Sequence, residues 1–259
     1  MPFVDANGVR IRYEQSGPAG APVLLFSNSL GTNLTMWDLQ LSTLAQSFLV
    51  LRYDVRGQGE SSANAGPYSI PQLADDVIAL LDQLRIPRVH FCGLSMGGMI
   101  GMTLALRYPD RLNKLILCNT APKIGVPDTW NARIDAVRRG GMAEVVESIL
   151  ERWFTPAFRT KAPAAIEITR QMLLSSPVDG YIACCAAIRD MDERDAIGRI
   201  QIPVLVISGS YDPVTPPQDG RDTANRIPGA QYKELAAAHL SNVEAAEAFT
   251  MEVSRFLEA

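Results

Sequence analysis

Three residues of this 259-residue chain have the types and settings to carry out acyl transfer together: Ser95, Asp212 and His239. Ser95 stands in Gly93-Leu94-Ser95-Met96-Gly97, behind the apolar run Val89 to Cys92 and ahead of an apolar helical pattern that reaches Arg107. This is a G-x-S-x-G pentapeptide between a strand and a helix, the setting of a nucleophile elbow. A serine on so sharp a turn is held in a strained backbone conformation. The residues two places to either side crowd the adjoining strand and helix, so both must be glycine. The hydroxyl then stands clear at a helix N-terminus, where free N–H groups and the helix dipole favour developing negative charge.

A serine nucleophile needs a base, and the chain has two histidines, His90 and His239. His90 lies five residues before Ser95 on the incoming strand, about 16 Å away at strand rise, and reads as structural. His239 lies in Ala236-Ala237-Ala238-His239-Leu240-Ser241, between the last strand and the last helix. Loops at the carboxyl ends of parallel strands are where sites form in such sheets, which makes His239 the base. The acid that orients it is Asp212, just past the seventh strand in Ser208-Gly209-Ser210-Tyr211-Asp212-Pro213-Val214. The sixth strand ends at Asn119-Thr120, without a carboxylate. The order Ser95, Asp212, His239 along the chain is the one this elbow requires. Oxyanion donors are expected from the backbone N–H of Met96, next to the nucleophile, and from that of Leu30 in the loop after the third strand. Asp54 and Arg56 take a structural ion-pair and turn role, since the triad is complete without them.

These groups have to be positioned by strands. Phe3 to Ala6 and Val9 to Gln15 form a hairpin through Asn7-Gly8. Pro22 to Ser27, Phe48 to Tyr53, Val89 to Cys92, Leu115 to Cys118 and Pro203 to Ser208 are apolar runs of the kind buried on both faces of a parallel sheet. Gln231 to Leu235 is the last strand. Between them come a short helix around Met36 to Leu44 and a helix over Ile70 to Leu84, with apolar residues at Leu73, Val77, Leu80, Leu81 and Leu84. Helices over Gln218 to Arg226 and Ala245 to Leu257 follow later in the chain. Strands alternating with helices imply a mainly parallel sheet covered on both faces. From Lys123 to about Gly198 the pattern is helical only, broken at Pro127, Pro156, Pro163 and Pro177. The expected architecture is α/β: an eight-stranded, mostly parallel α/β-hydrolase core of residues 1–122 and 199–259, with a helical cap of residues 123–198 inserted after the sixth strand.

Composition sets limits on partners. A formal net charge of -4 argues against nucleic acid, because phosphate binding wants a basic surface. No apolar run approaches a membrane span, and the first ten residues lack a charged and apolar leader pattern. The four cysteines, Cys92, Cys118, Cys184 and Cys185, show neither a disulfide framework nor metal-ligand spacing, which reads as reduced thiols in a cytoplasmic protein. Two histidines and scattered acids supply no metal site. Gly57-Gln58-Gly59 lacks the third glycine of a dinucleotide fingerprint, so no cofactor is expected.

Several stretches closely resemble the 3-oxoadipate enol-lactonases: Ser27 to Thr32, Arg52 to Gly57, Phe91 to Gly98, Cys118 to Ala121, and Lys123-Ile124-Gly125 with Trp130-Asn131-Ala132-Arg133-Ile134. The elbow and the Arg52 loop are common to many α/β-hydrolases; Ser27 to Thr32 and Trp130 to Ile134 discriminate. Gln58 departs from the pattern where histidine is frequent, and Pro122 where a small residue is expected. The resemblance implies hydrolysis of a small anionic lactone, 3-oxoadipate enol-lactone, in the protocatechuate branch of the β-ketoadipate pathway, without a cofactor. The lactone has a free carboxylate, for which Arg133 beside Trp130 offers a charge and an apolar wall. Arg133 either answers that carboxylate or lies on the exposed face of its helix. A broad carboxylesterase or cofactor-free perhydrolase would use the same triad.

Overall fold

The computed structural model describes residues 2–259. The chain opens with the hairpin β1 (Phe3–Ala6) and β2 (Val9–Ser16), whose turn residues Asn7 and Gly8 both adopt positive φ (49° and 76°), as a tight hairpin turn demands. Next come β3 (Val23–Ser27), a 3-10 turn over Leu34–Trp37, α1 (Asp38–Leu44), β4 (Leu49–Tyr53), α2 (Ile70–Gln83), β5 (Val89–Leu94), α3 (Met96–Arg107) and β6 (Leu112–Cys118). Five helices intervene: α4 (Pro127–Gly140), α5 (Ala143–Trp153), α6 (Pro156–Lys161), α7 (Pro163–Leu174) and α8 (Val178–Asp190). The alternation then resumes with β7 (Val204–Gly209), α9 (Pro217–Arg226), β8 (Gln231–Leu235), α10 (Ser241–Glu244) and α11 (Ala246–Glu258).

The eight strands form one sheet in the order β1-β2-β4-β3-β5-β6-β7-β8. Only the β1–β2 and β2–β4 pairings are antiparallel; every pairing from β4 to β8 is parallel. Parallel neighbours end on one edge, so the loops after β3, β5, β6, β7 and β8 emerge side by side. The α3 helix lies against the sheet centre and is buried from Met96 through Ala105, which accounts for its apolar residues on every face. The α2 helix is amphipathic and buries Leu73, Val77, Leu80 and Leu81.

Some boundaries differ from the expected ones. The β6 strand starts at Leu112, three residues before the apolar run, and includes Asn113 and Lys114. Its lysine is polar for a reason: Nζ donates to the carbonyls of Phe256 and Leu257 (3.0 and 3.1 Å), satisfying acceptors at the end of α11. The β5 strand runs on through Gly93 and Leu94, paired with Leu117 and Cys118. The helix expected from Met36 splits, because Asn33 caps the 3-10 turn by accepting from the Thr35 N–H (3.0 Å).

In the inserted helices, the prolines sit where helices begin. Pro127, Pro156 and Pro163 are the first residues of their helices and Pro177 precedes α8, positions where a missing N–H costs no intrahelical bond. The insertion meets the loop after β4 where Gly180 of α8 packs on Gly57. A Cβ at either position would overlap the other's backbone, and Gly57 has φ +72°. The backbone contact needs glycine on both sides.

Candidate active site

Four parallel strand ends meet at one place. Ser95 follows β5, Asn119 follows β6, Asp212 lies three residues past β7 and His239 four past β8. The strands β5, β6, β7 and β8 are consecutive in the sheet, so residues up to 144 apart in sequence come from adjacent positions on one edge. All are buried; Ser95 is 6%, Asp212 3% and His239 1% exposed.

Ser95 has φ 57° and ψ −114°, a left-handed conformation unusual for any residue with a side chain. Packing enforces it: a Cβ on Gly93 would meet the Gly97 carbonyl, and one on Gly97 would meet the backbone of Ser27 and Asn28. Hydrogen bonds fix the turn further. The Ser95 N–H donates to the Cys118 carbonyl (2.9 Å), and the Ser95 carbonyl accepts from the Thr120 hydroxyl (2.8 Å). Strain held by surrounding contacts is typical of functional turns.

Asp212 is the most heavily engaged carboxylate of the site. Its Oδ1 accepts from the N–H groups of Val214 (2.7 Å) and Thr215 (3.1 Å). Its Oδ2 accepts from His239 Nδ1 (2.8 Å), the Thr215 hydroxyl (2.7 Å) and the Asn119 amide (2.9 Å). Burial alone would raise this carboxyl, but the His239 charge and the bonds from His239, Asn119 and Thr215 outweigh it and hold the carboxyl below its ordinary value. It is therefore ionised at neutral pH. An ionised carboxylate only accepts, so His239 carries its hydrogen on Nδ1 and keeps the Nε2 lone pair free. The Trp153 indole lies 6.0 Å from the imidazole, and the Leu240 N–H donates to the Trp153 carbonyl (3.2 Å), fastening the histidine loop to the inserted helices.

The loop after β3 lies beside the start of α3, brought there by the contact of Gly97 with Ser27 and Asn28. Its N–H groups are mostly taken: Ser29 donates to Met36 Sδ (3.4 Å), Gly31 to Gln58 Oε1 (2.8 Å) and Thr32 to the Ser29 carbonyl (3.2 Å). The N–H groups of Leu30 and Met96 have no protein partner among the described residues. Gln58 also points its amide nitrogen at Cys184 Sγ (3.4 Å) and Met96 Sδ (3.9 Å), so one buried side chain touches the β3 loop, the elbow and α8.

The remaining sequence candidates fall into two groups. Trp130 is buried on α4, its indole N–H donating to the Ile124 carbonyl (2.7 Å), and Arg133 one turn later lies 5.0 Å over its ring. Arg133 is half-buried, between the two positions the sequence left open for it. His90 is remote from the site, edge-on to Phe48 at 5.9 Å, and burial followed by Lys114 pushes its pKa down. Arg56 pairs with Asp76 (2.5 and 2.7 Å), while Asp54 accepts from the N–H groups of Leu34 (2.7 Å) and Glu60 (2.8 Å), so both have structural contacts.

Sequence reasoning passed over Asn119, Thr215, Trp153 and the role of Gln58. Asn119 is no acid, yet it sits at the end of the strand between those that carry Ser95 and Asp212, where an amide can donate. The Ser241 hydroxyl donates to its Oδ1 (2.5 Å), and its own amide reaches the Ala238 carbonyl (3.2 Å), so it ties Asp212 to the histidine loop. Thr215 was legible in principle, since an aspartate readily accepts from the backbone and side chain two or three residues on.

Comparison with known proteins agrees with the geometry. The sequence model for the alpha/beta hydrolase fold matches residues 22–246. The chain is 44% identical over 253 residues to 3-oxoadipate enol-lactonase 2 of Acinetobacter baylyi, covering 98% of this chain and 95% of that protein. To 3-oxoadipate enol-lactonase 1 of the same organism it is 38% identical, covering 99% and 96%. The crystal structure of the enol-lactonase from Burkholderia xenovorans LB400 superposes with a TM-score of 0.98 at 43% identity, covering 100% of both chains. The chain belongs to the α/β-hydrolase family and, within it, to the family of the 3-oxoadipate enol-lactonases.

Proposed function

We propose that this hydrolase opens 3-oxoadipate enol-lactone to 3-oxoadipate through an acyl-enzyme on Ser95. One observation carries the mechanism: a buried Asp212 carboxylate holds His239 by Nδ1 at 2.8 Å, on the same sheet edge as the strained Ser95 turn. The enol-lactonase relatives support the substrate. His239 Nε2 takes the Ser95 proton as the oxygen attacks the lactone carbonyl, and Asp212 stabilises the imidazolium. The N–H groups of Leu30 and Met96, free of protein partners, receive the oxyanion. Collapse of the tetrahedral adduct breaks the ring C–O bond and expels an enolate, a better leaving group than an alkoxide. The enolate takes the proton from His239 and ends as the ketone. Water, deprotonated by His239, then attacks the acyl-enzyme and frees the second carboxylate and Ser95. No step calls on a cofactor. The pathway would be the protocatechuate branch of β-ketoadipate catabolism, in the cytoplasm, consistent with four free buried thiols.

Arg133, stacked on Trp130, is the group we assign to the free carboxylate of the lactone. Arg133→Ala is expected to raise KM for the enol-lactone about 10-fold or more, the effect of losing a charge-assisted contact, with a much smaller effect on neutral phenyl acetate. Steady-state kinetics on both substrates checks this, and an equal loss on both would remove Arg133 from the carboxylate site.

Gln58 acts through the loop rather than on substrate. Gln58→Ala leaves the Gly31 N–H without its acceptor and frees the loop that presents Leu30. A misplaced oxyanion donor acts in the transition state alone, so kcat should fall by about 10- to 100-fold with KM little changed. A change in KM without one in kcat would contradict that role.

A further inference from the structure

The backbone around His239 is held from outside its own loop on both sides. Before the histidine, the Ala238 carbonyl accepts from the Asn119 amide (3.2 Å), and the Ala238 N–H donates to Glu244 Oε2 (2.9 Å). After it, the Leu240 N–H donates to the Trp153 carbonyl (3.2 Å), and the Trp153 ring stands 6.0 Å from the imidazole. Glu244, the last residue of α10, is half-buried and reaches further than the loop. Its carboxylate also accepts from the Thr155 N–H, at 3.3 Å to each oxygen, and from the Thr155 hydroxyl. Thr155 in turn caps α6, its hydroxyl oxygen accepting from the Phe158 N–H (3.2 Å). Every hydrogen bond that the Glu244 carboxylate accepts therefore comes either from the start of α6 or from the residue before His239.

We infer that Glu244 is a positioning residue for His239: its carboxylate clamps the inserted helices at Thr155 to the histidine loop at Ala238, and the clamp sets where the imidazole stands. The chemistry of the group suits the task. Three donors converge on it, the Thr155 N–H and hydroxyl and the Ala238 N–H, and an ionised carboxylate only accepts, so it can meet them all. An amide in its place has one acceptor oxygen and turns hydrogens toward a donor. Ala238 is the immediate neighbour of His239, so a shift of its N–H passes straight to the base. Small displacements of a catalytic group are costly, since about 1 Å of misplacement can lower a rate by about 100-fold. The inference rests on the reading of His239 as the base, and extends it by making a link to the inserted helices part of that base's mounting. Such a residue acts on every ester that His239 serves, whereas a contact to substrate would act on one.

The test is steady-state kinetics of the full chain on phenyl acetate and on the enol-lactone. Glu244→Gln keeps the size of the side chain and removes one acceptor. It is expected to lower kcat about 10- to 100-fold on both substrates, with KM little changed. Thr155→Val takes the hydroxyl from the other end of the clamp and is expected to lower kcat several-fold on both. It carries the test alone should Glu244→Gln fail to fold, as judged by its thermal unfolding. The double variant should be no slower than Glu244→Gln, because both changes break one link. Lowered unfolding midpoints with kcat on phenyl acetate within about two-fold of wild type in the folded variants, the mark of a merely structural contact, would overturn the inference. A loss confined to the lactone, or losses that multiply in the double variant, would overturn it as well. The expected fall on phenyl acetate, in a protein unable to open the enol-lactone, would leave the clamp standing and discard the substrate. Phenyl acetate cleavage that survives in His239→Ala would remove the base, and the clamp with it.

Discussion

His239→Ala is expected to lower kcat for lactone opening by about 10⁶-fold, and Asp212→Asn by about 10⁴-fold, the scale seen when members of such a triad are removed singly. The unequal losses follow from the geometry. In the proposed mechanism His239 moves the proton in both half-reactions, and nothing else near Ser95 offers a free imidazole lone pair. Asp212, in that mechanism, never touches the reacting atoms. It fixes the imidazole with hydrogen on Nδ1 and would stabilise the charge that appears there. Asparagine at position 212 can present an amide N–H to Nδ1, which would place the imidazole hydrogen on Nε2, where the lone pair is needed. The surrounding donors sharpen this. Asn119, Thr215 and the N–H of Val214 all aim hydrogens at the carboxylate, so an amide that donates cannot satisfy them all. Pre-steady-state release of product, with each variant's unfolding midpoint measured alongside, separates lost chemistry from lost fold. The double variant should be little worse than His239→Ala, because the two residues act as a unit. Additive losses would mean that Asp212 has a separate role.

Much of this site was legible in the sequence, because its main parts obey backbone rules. The elbow needs glycine at positions 93 and 97 for steric reasons that leave a fixed spelling. Asp212 and His239 follow strands whose apolar runs are unmistakable, and parallel strands leave their loops on one edge. The groups that escaped notice depend on tertiary direction. Asn119 matters because β6 lies between β5 and β7, which the strand order shows and the local sequence does not. Gln58 reads as part of a glycine-rich turn; its part in holding Gly31 depends on the loop after β3 folding over it. Strand β6 shows the same limit in the fold. Lys114 hides a strand position because its charge is met by the end of α11, 142 residues away in sequence.

The most direct test of the account is the ultraviolet loss of enzymatically generated 3-oxoadipate enol-lactone, followed with wild type and Ser95→Ala side by side. Ser95→Ala removes the attacking oxygen and leaves the elbow, the oxyanion donors and the Asp212–His239 pair in place, so it isolates the covalent step. The account predicts fast loss with wild type and a fall of about 10⁶-fold in the variant. Equal rates in the two proteins would contradict nucleophilic catalysis by Ser95. No loss with wild type, in a preparation that still cleaves phenyl acetate through Ser95, would contradict the lactone as substrate.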